Sequence, residues 1–204
     1  MDVPPEDAAV PDYLSLPLGR FLDLVASGEP APGGGAAAAV AVALAAGLSG
    51  MAARFSAEQL ADAPALADRA DDLRREVAPL ARADAEAYGR VLTAYRLPRE
   101  PDPETRRRSI REALSGAADV PLAVAENGAE VARIAARLVE EGNPNLKGDA
   151  IAAVVLAGAG VRAAAMLVEI NLSIGEVDDE RLVRVSELVA EVTRATQQTV
   201  DGVG

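Results

Sequence analysis

The chain has 204 residues, half of them apolar, a net charge of −12, and neither cysteine nor histidine. Disulfides, thiolate nucleophiles, Ser-His-Asp triads and metal sites built on His or Cys are excluded, leaving proton transfer to Asp, Glu, Lys, Tyr or water. So acidic a chain is a poor partner for nucleic acid, and a composition rich in alanine and only 2% aromatic favours close-packed helices over strands.

Residues 1–14 are acidic and proline-rich, without the basic and apolar regions of a secretory signal. They read as a flexible N-terminal arm, with the cytoplasm as the expected location. Residues 15–204 read as one helical domain. Its first helix is expected from Leu16 to Ser27, with apolar residues at Leu18, Leu22 and Val25, and Gly28 suits the position just past its end.

The second begins in PAPGGGAAAAVAVALAAGLSGMAARF, where no residue from Pro30 to Ala53 is charged. Its length would cross a bilayer, but Ala and Gly contribute little to insertion, so a helix enclosed by protein is expected rather than a membrane span. Ala39, Ala43 and Gly47 are small residues at four-residue spacing that would let neighbouring backbones approach. This helix should reach about Ala61.

The third is expected from Ala65 to Leu97 with a kink at Pro79. In the fourth, Asp102 is a good N-cap and Pro103 a good first residue; it runs to Glu141, kinked or broken at Pro121. EGNPNLKG is a turn. The fifth, Asp149 to Ser173, is again almost wholly apolar, and Asp178 or Asp179 caps a sixth reaching Thr199. The expected fold is all-α, a single-domain bundle of about six helices. Hiding two apolar helices favours a homodimer, or a dimer of dimers, since obligate interfaces resemble a core cut in half.

Three features point to chemistry. Gly33, Gly34 and Gly35 open a helix, where free N–H groups attract anions or a tight turn is made. Lys147 is the only lysine, in a turn that also holds Asn143 and Asn145, two of only four asparagines, and Asp149 follows as an N-cap or a functional carboxylate. Asp84 and Tyr88 stand at i, i+4 among alanines, while Asn171 near the end of an apolar helix must find partners. The run TRRRS reads as a solvated helix face.

LPLGRFLDLVASGEPAPGGGAAAAVAVALAAGLSGMAARF resembles the N-terminal signature of the formiminotransferase-cyclodeaminase family. RADAEAYGRVLTAYRLP, VPLAVAENG, GNPNLKGDAIAA and AAMLVEINL follow in that family's order and spacing. The chain departs from the family's pattern at Ala36 and Gly148, where serine is usual. The resemblance implies an all-helical dimer or larger assembly acting on a tetrahydrofolate derivative as substrate, with no resident cofactor or metal. It implies formiminotetrahydrofolate cyclodeaminase first, methenyltetrahydrofolate cyclohydrolase as the alternative, and a non-catalytic folate-binding or structural dimer as a third reading. The catalytic candidates are Asp84, Lys147 and Asp149. Those expected to hold the folate are Gly33, Gly34, Gly35, Asn145 and Asn171.

Overall fold

The structure, a computed structural model, describes residues 10–175 and 179–201. Among them are seven α-helices and no strand: α1 (Leu18–Val25), α2 (Gly34–Arg54), α3 (Ala63–Val77), α4 (Leu80–Arg96), α5 (Pro103–Glu141), α6 (Lys147–Ile174) and α7 (Glu180–Asp201). Single 3₁₀ turns precede α1 at Tyr13–Ser15 and α6 at Pro144–Leu146.

Local signals set most boundaries. Asp102 caps α5 by accepting from the Thr105 N–H at 3.0 Å. Asp179 caps α7 by accepting from the Arg181 N–H at 2.9 Å; its alternative, Asp178, lies outside the described residues. The single third helix expected from sequence is instead two, α3 and α4, separated at Ala78–Pro79. Pro79 has no N–H to continue the ladder. α2 stops at Arg54, short of Ala61, and a set of turns leads to α3.

Pro121 behaves differently: α5 runs unbroken through it. α1 also departs from expectation. Phe21 is its buried residue, while Leu18, Leu22 and Val25 lie on the exposed stripe. The expected arm is anchored before residue 14, since Val10 packs on the core and Tyr13 is buried edge-on to Phe21.

α2 is central and packs against α3, α4, α5 and α6. The close approach of α2 to α5 and α6 is at Val42 rather than at Ala43 or Gly47. A Cβ on Gly160 of α6 would lie 2.6 Å from Val42 Cγ2, and one on Gly128 of α5 would lie 3.1 Å from the same atom. Val42 is wedged between two helices that carry no side chain there, and close packing of this kind is what an alanine-rich core requires. By length and composition α2 and the stretch Pro144–Ile174 could each cross a membrane, yet 56% and 50% of their most apolar 18-residue windows is buried inside this fold. That is how core helices of a bundle behave. The rest of α6 presents Val155, Met166, Ile170 and Ile174 outward.

Candidate active site

A cleft of about 440 Å³ opens between the start of α2, α4, α5 and the end of α6. α4 supplies one wall with Asp84, Tyr88, Val91 and Tyr95, spaced i, i+4, i+7, i+11 on one helix face. The opposite wall is Leu167, Ile170, Asn171 and Ile174 of α6, and Gly33, Gly34 and Gly35 close the end. The lining is apolar and aromatic apart from one carboxylate and one carboxamide, the pattern of a small-molecule site.

Asp84 is turned inward, onto the first turn of α2. The backbone N–H of Ala36 donates to its carboxylate, one of the donors that a helix start leaves without an intrahelical partner. Gly35 makes the approach possible: a Cβ there would lie 2.0 Å from Asp84 Oδ1. The glycine backbone is not in a left-handed conformation, so proximity and not φ requires it. Burial pushes the Asp84 carboxyl above the usual carboxylate range, and the Ala36 N–H only partly opposes this. Tyr13 lies close enough for the Asp84 charge to add to the effect of burial in raising its phenol pKa. Glu86, two residues on, pairs with Arg82 instead, at 2.8 Å.

Asn171 is placed by a residue far from it in sequence. Pro121 has no N–H, so the carbonyl of Ala117, four residues earlier in α5, loses its usual intrahelical partner. Asn171 Nδ2 donates to that carbonyl at 3.2 Å. The freed acceptor is satisfied, which explains why the proline leaves α5 unbroken, and the carboxamide is fixed at the cleft wall.

The cleft brings together Gly33, Gly34, Gly35, Asp84 and Asn171. It does not include Asn145, Lys147 or Asp149, which sit at the other end of α6. At roughly 1.5 Å per residue, Lys147 and Asn171 are about 36 Å apart along the helix. The asparagine turn there ties α6 to the end of α2. Asn143 Nδ2 donates to the Phe55 carbonyl at 2.8 Å, and Asn143 Oδ1 accepts from the Asn145 N–H at 3.0 Å. α6 begins at Lys147, so Asp149 lies in its first turn and does not cap it. Among the described residues no three acidic side chains gather as a metal site would need.

The two departures from the family's pattern fall differently. At Ala36 the backbone N–H makes the contact to Asp84, a donor that serine would equally supply, although the methyl itself is fully buried. At Gly148 an added Cβ meets open space. Sequence reasoning missed Tyr13 and Tyr95, so all three tyrosines of the chain line or back this cleft. Tyr95 was detectable by continuing the face of Asp84 and Tyr88 along α4.

The family model for formiminotransferase-cyclodeaminase matches residues 17–192. The chain belongs to the formiminotransferase-cyclodeaminase family. A curated member, methenyltetrahydrofolate cyclohydrolase of Methylorubrum extorquens, is 37% identical over 182 residues, spanning 84% of this chain and 88% of that one. The crystal structure of formiminotetrahydrofolate cyclodeaminase from Thermotoga maritima superposes with a TM-score of 0.79 at 27% identity, covering 93% of this chain and 98% of that one. The cyclodeaminase-family fold therefore extends over nearly all of both chains.

Proposed function

We propose that the protein is a folate one-carbon enzyme, a methenyltetrahydrofolate cyclohydrolase that opens 5,10-methenyltetrahydrofolate to 10-formyltetrahydrofolate. The relative of 37% identity carries that activity in its name, which moves the cyclohydrolase ahead of the cyclodeaminase favoured by the sequence resemblance. The observation that carries the reading is Asp84, a lone carboxylate in an aromatic cleft, with no cationic side chain among the described residues that line it. The methenyl substrate is a cationic amidinium, and a positive charge beside Asp84 draws its carboxyl back to the ionised form. Water then adds to the bridging carbon while Asp84 takes its proton. As the bond from that carbon to N5 breaks, Asp84 returns the proton to N5, and the remaining hydroxyl proton passes to solvent water as the formyl carbonyl forms. One carboxylate serves as base and then acid, and the route uses no histidine.

The 27% identical structural neighbour supports a second reading, the cyclodeaminase. There N10 attacks the formimino carbon on N5 and ammonia leaves, through the same kind of tetrahedral centre. Following the absorbance of the methenyl compound separates the two. Loss faster than the uncatalysed rate, removed by Asp84→Asn, is expected. Net formation from the formimino substrate with ammonia release would favour the second reading, and neither change would defeat both.

The proposed assembly is a cytoplasmic homodimer joined through the outward apolar stripe of α6. An isologous pair of antiparallel helices sets the start of each near the end of the other. In that arrangement Asp149 and Lys147 of one copy reach the cleft of its partner, which a single protomer cannot achieve.

A further inference from the structure

The chain has three tyrosines and two phenylalanines, and two of those five rings, Tyr88 and Tyr95, stand on the wall that carries Asp84. Along the α4 axis Tyr88 is one turn beyond Asp84, about 6 Å away, and Tyr95 is about 16 Å away. Both rings stay open to the cleft, Tyr88 being 43% exposed and Tyr95 44%. Among the described residues neither a hydrogen bond nor a ring contact engages the Tyr88 side chain. The end of α4 is fixed from α5. Arg106, which the sequence places in a solvated run, instead donates to the Tyr95 and Leu97 carbonyls at 2.9 Å each. These are acceptors that a helix end leaves without an intrahelical partner. The aromatic wall is therefore held in place before a ligand arrives.

We propose that Tyr88 determines specificity for charge: the face of its ring receives the cationic amidinium held at Asp84, so that the cleft selects the charged methenyl form over neutral reduced folates. The proposal rests on the folate reading of the cleft. An aromatic face carries negative potential and attracts a cation within about 6 Å of the ring centre. Tyr88 is the cleft aromatic within that reach of the carboxylate, and Tyr95 is too far along the helix. Among the described residues no cationic side chain lines the cleft, so none competes with the ligand for the ring or for Asp84. The same attraction bears on release. Ring opening leaves the 10-formyl product neutral at this centre, so the tyrosine holds product less tightly than substrate. The attraction belongs to the bound cation and fades as water adds, so it acts on binding and not on the chemical step.

The test measures binding of 5,10-methenyltetrahydrofolate, by rapid mixing before turnover, and of tetrahydrofolate, which has the same carboxylates but no cationic bridge, to the full-length protein. Tyr88→Leu should weaken the methenyl compound about fivefold, leave tetrahydrofolate within about twofold, and not lower kcat. Tyr88→Phe keeps the ring face and should leave both affinities within about twofold. Tyr95→Leu removes a ring from the same wall and should not separate the two ligands. Equal effects of Tyr88→Leu on both ligands, including no effect on either, would overturn the proposal while leaving the cleft assignment standing. So would a loss in Tyr88→Phe as large as in Tyr88→Leu, since the hydroxyl and not the ring would then be acting. A wild-type protein that binds neither compound would overturn the folate reading and this inference with it.

Discussion

The carboxylate of Asp84 occupies the space that a side chain on Gly35 would fill, with Oδ1 2.0 Å from the position of the missing Cβ. Gly35→Ala must therefore displace either the carboxylate or the start of α2. We expect a loss of about 1–3 kcal/mol, typical of overpacking. Asp84→Ala should relieve it, so that the double variant is more stable than the sum of the single changes predicts. Additive losses in chemical denaturation would contradict the geometry. Gly34→Ala, whose Cβ meets only Leu167 Cδ1 at 3.9 Å, should be tolerated by the fold.

Asp84→Asn keeps the shape and removes the proton carrier. The turnover number should fall roughly 10²-fold or more while the circular dichroism spectrum is unchanged. Near-normal turnover would remove Asp84 from the catalytic role.

Two carboxylates give the stability profile opposite slopes. The Asp84 carboxyl lies above its ordinary value because burial disfavours the charge. Its contribution therefore falls as pH rises from the ordinary aspartate range through the raised value. Asp84→Asn should flatten that decline. Asp179 is held down at about 2 by its hydrogen bonds from Arg181, so its contribution is present above the ordinary value and is lost as pH falls toward 2. Thermal melts of Asp84→Asn and Asp179→Asn across this range should remove one slope each.

Pro121→Ala returns an N–H to α5, where it competes with Asn171 for the Ala117 carbonyl. Helix propensity favours the change by up to about 3 kcal/mol, offset by the packing of a buried ring. The melting temperature should hold or rise while KM increases about fivefold, the worth of one weakened hydrogen bond. A fall in stability with KM unchanged would show that the proline acts only through packing.

Asp149→Asn tests the dimer arrangement. If the partner's α6 start completes the cleft, Asp84→Asn and Asp149→Asn are each impaired, and an equimolar mixture refolded together recovers about a quarter of the wild-type rate, since mixed dimers carry one intact site. Full activity of Asp149→Asn alone, or an active monomer by sedimentation, would confine the site to one protomer.

Much of the fold was legible because helix ends carry their own chemistry: Asp102 and Pro103 start α5 where local capping places them. The two internal prolines were not separable from sequence. Whether a proline breaks a helix depends on what takes the orphaned carbonyl, and for Pro121 that partner, Asn171, is 50 residues away. The inward face of α1 was hidden because Leu18, Leu22 and Val25 form a regular stripe on the side that the core does not reach. Asp84, Tyr88 and Asn171 stand out one by one in the sequence, but their convergence is a property of packing. The separation of Lys147 from Asn171 was implicit in the sequence, since both belong to one apolar helix whose rise per residue fixes their distance.

The wedge of Val42 between Gly128 and Gly160 also limits how this protein can be made more heat-resistant. Replacing helical glycine with alanine gains up to about 1 kcal/mol per site when the added methyl has room. Gly89, Gly116 and Gly148 lie in helices with nothing within 4 Å of the new carbon, so they are open to it. At Gly128 and Gly160 the same change forces α5 or α6 away from α2, and shrinking Val42 to alanine addresses only part of the clash at Gly128, where Val161 also stands 2.6 Å from the added carbon. Thermostable variants should therefore accumulate alanine along the outer turns of the bundle and keep the Val42 contact glycine-lined.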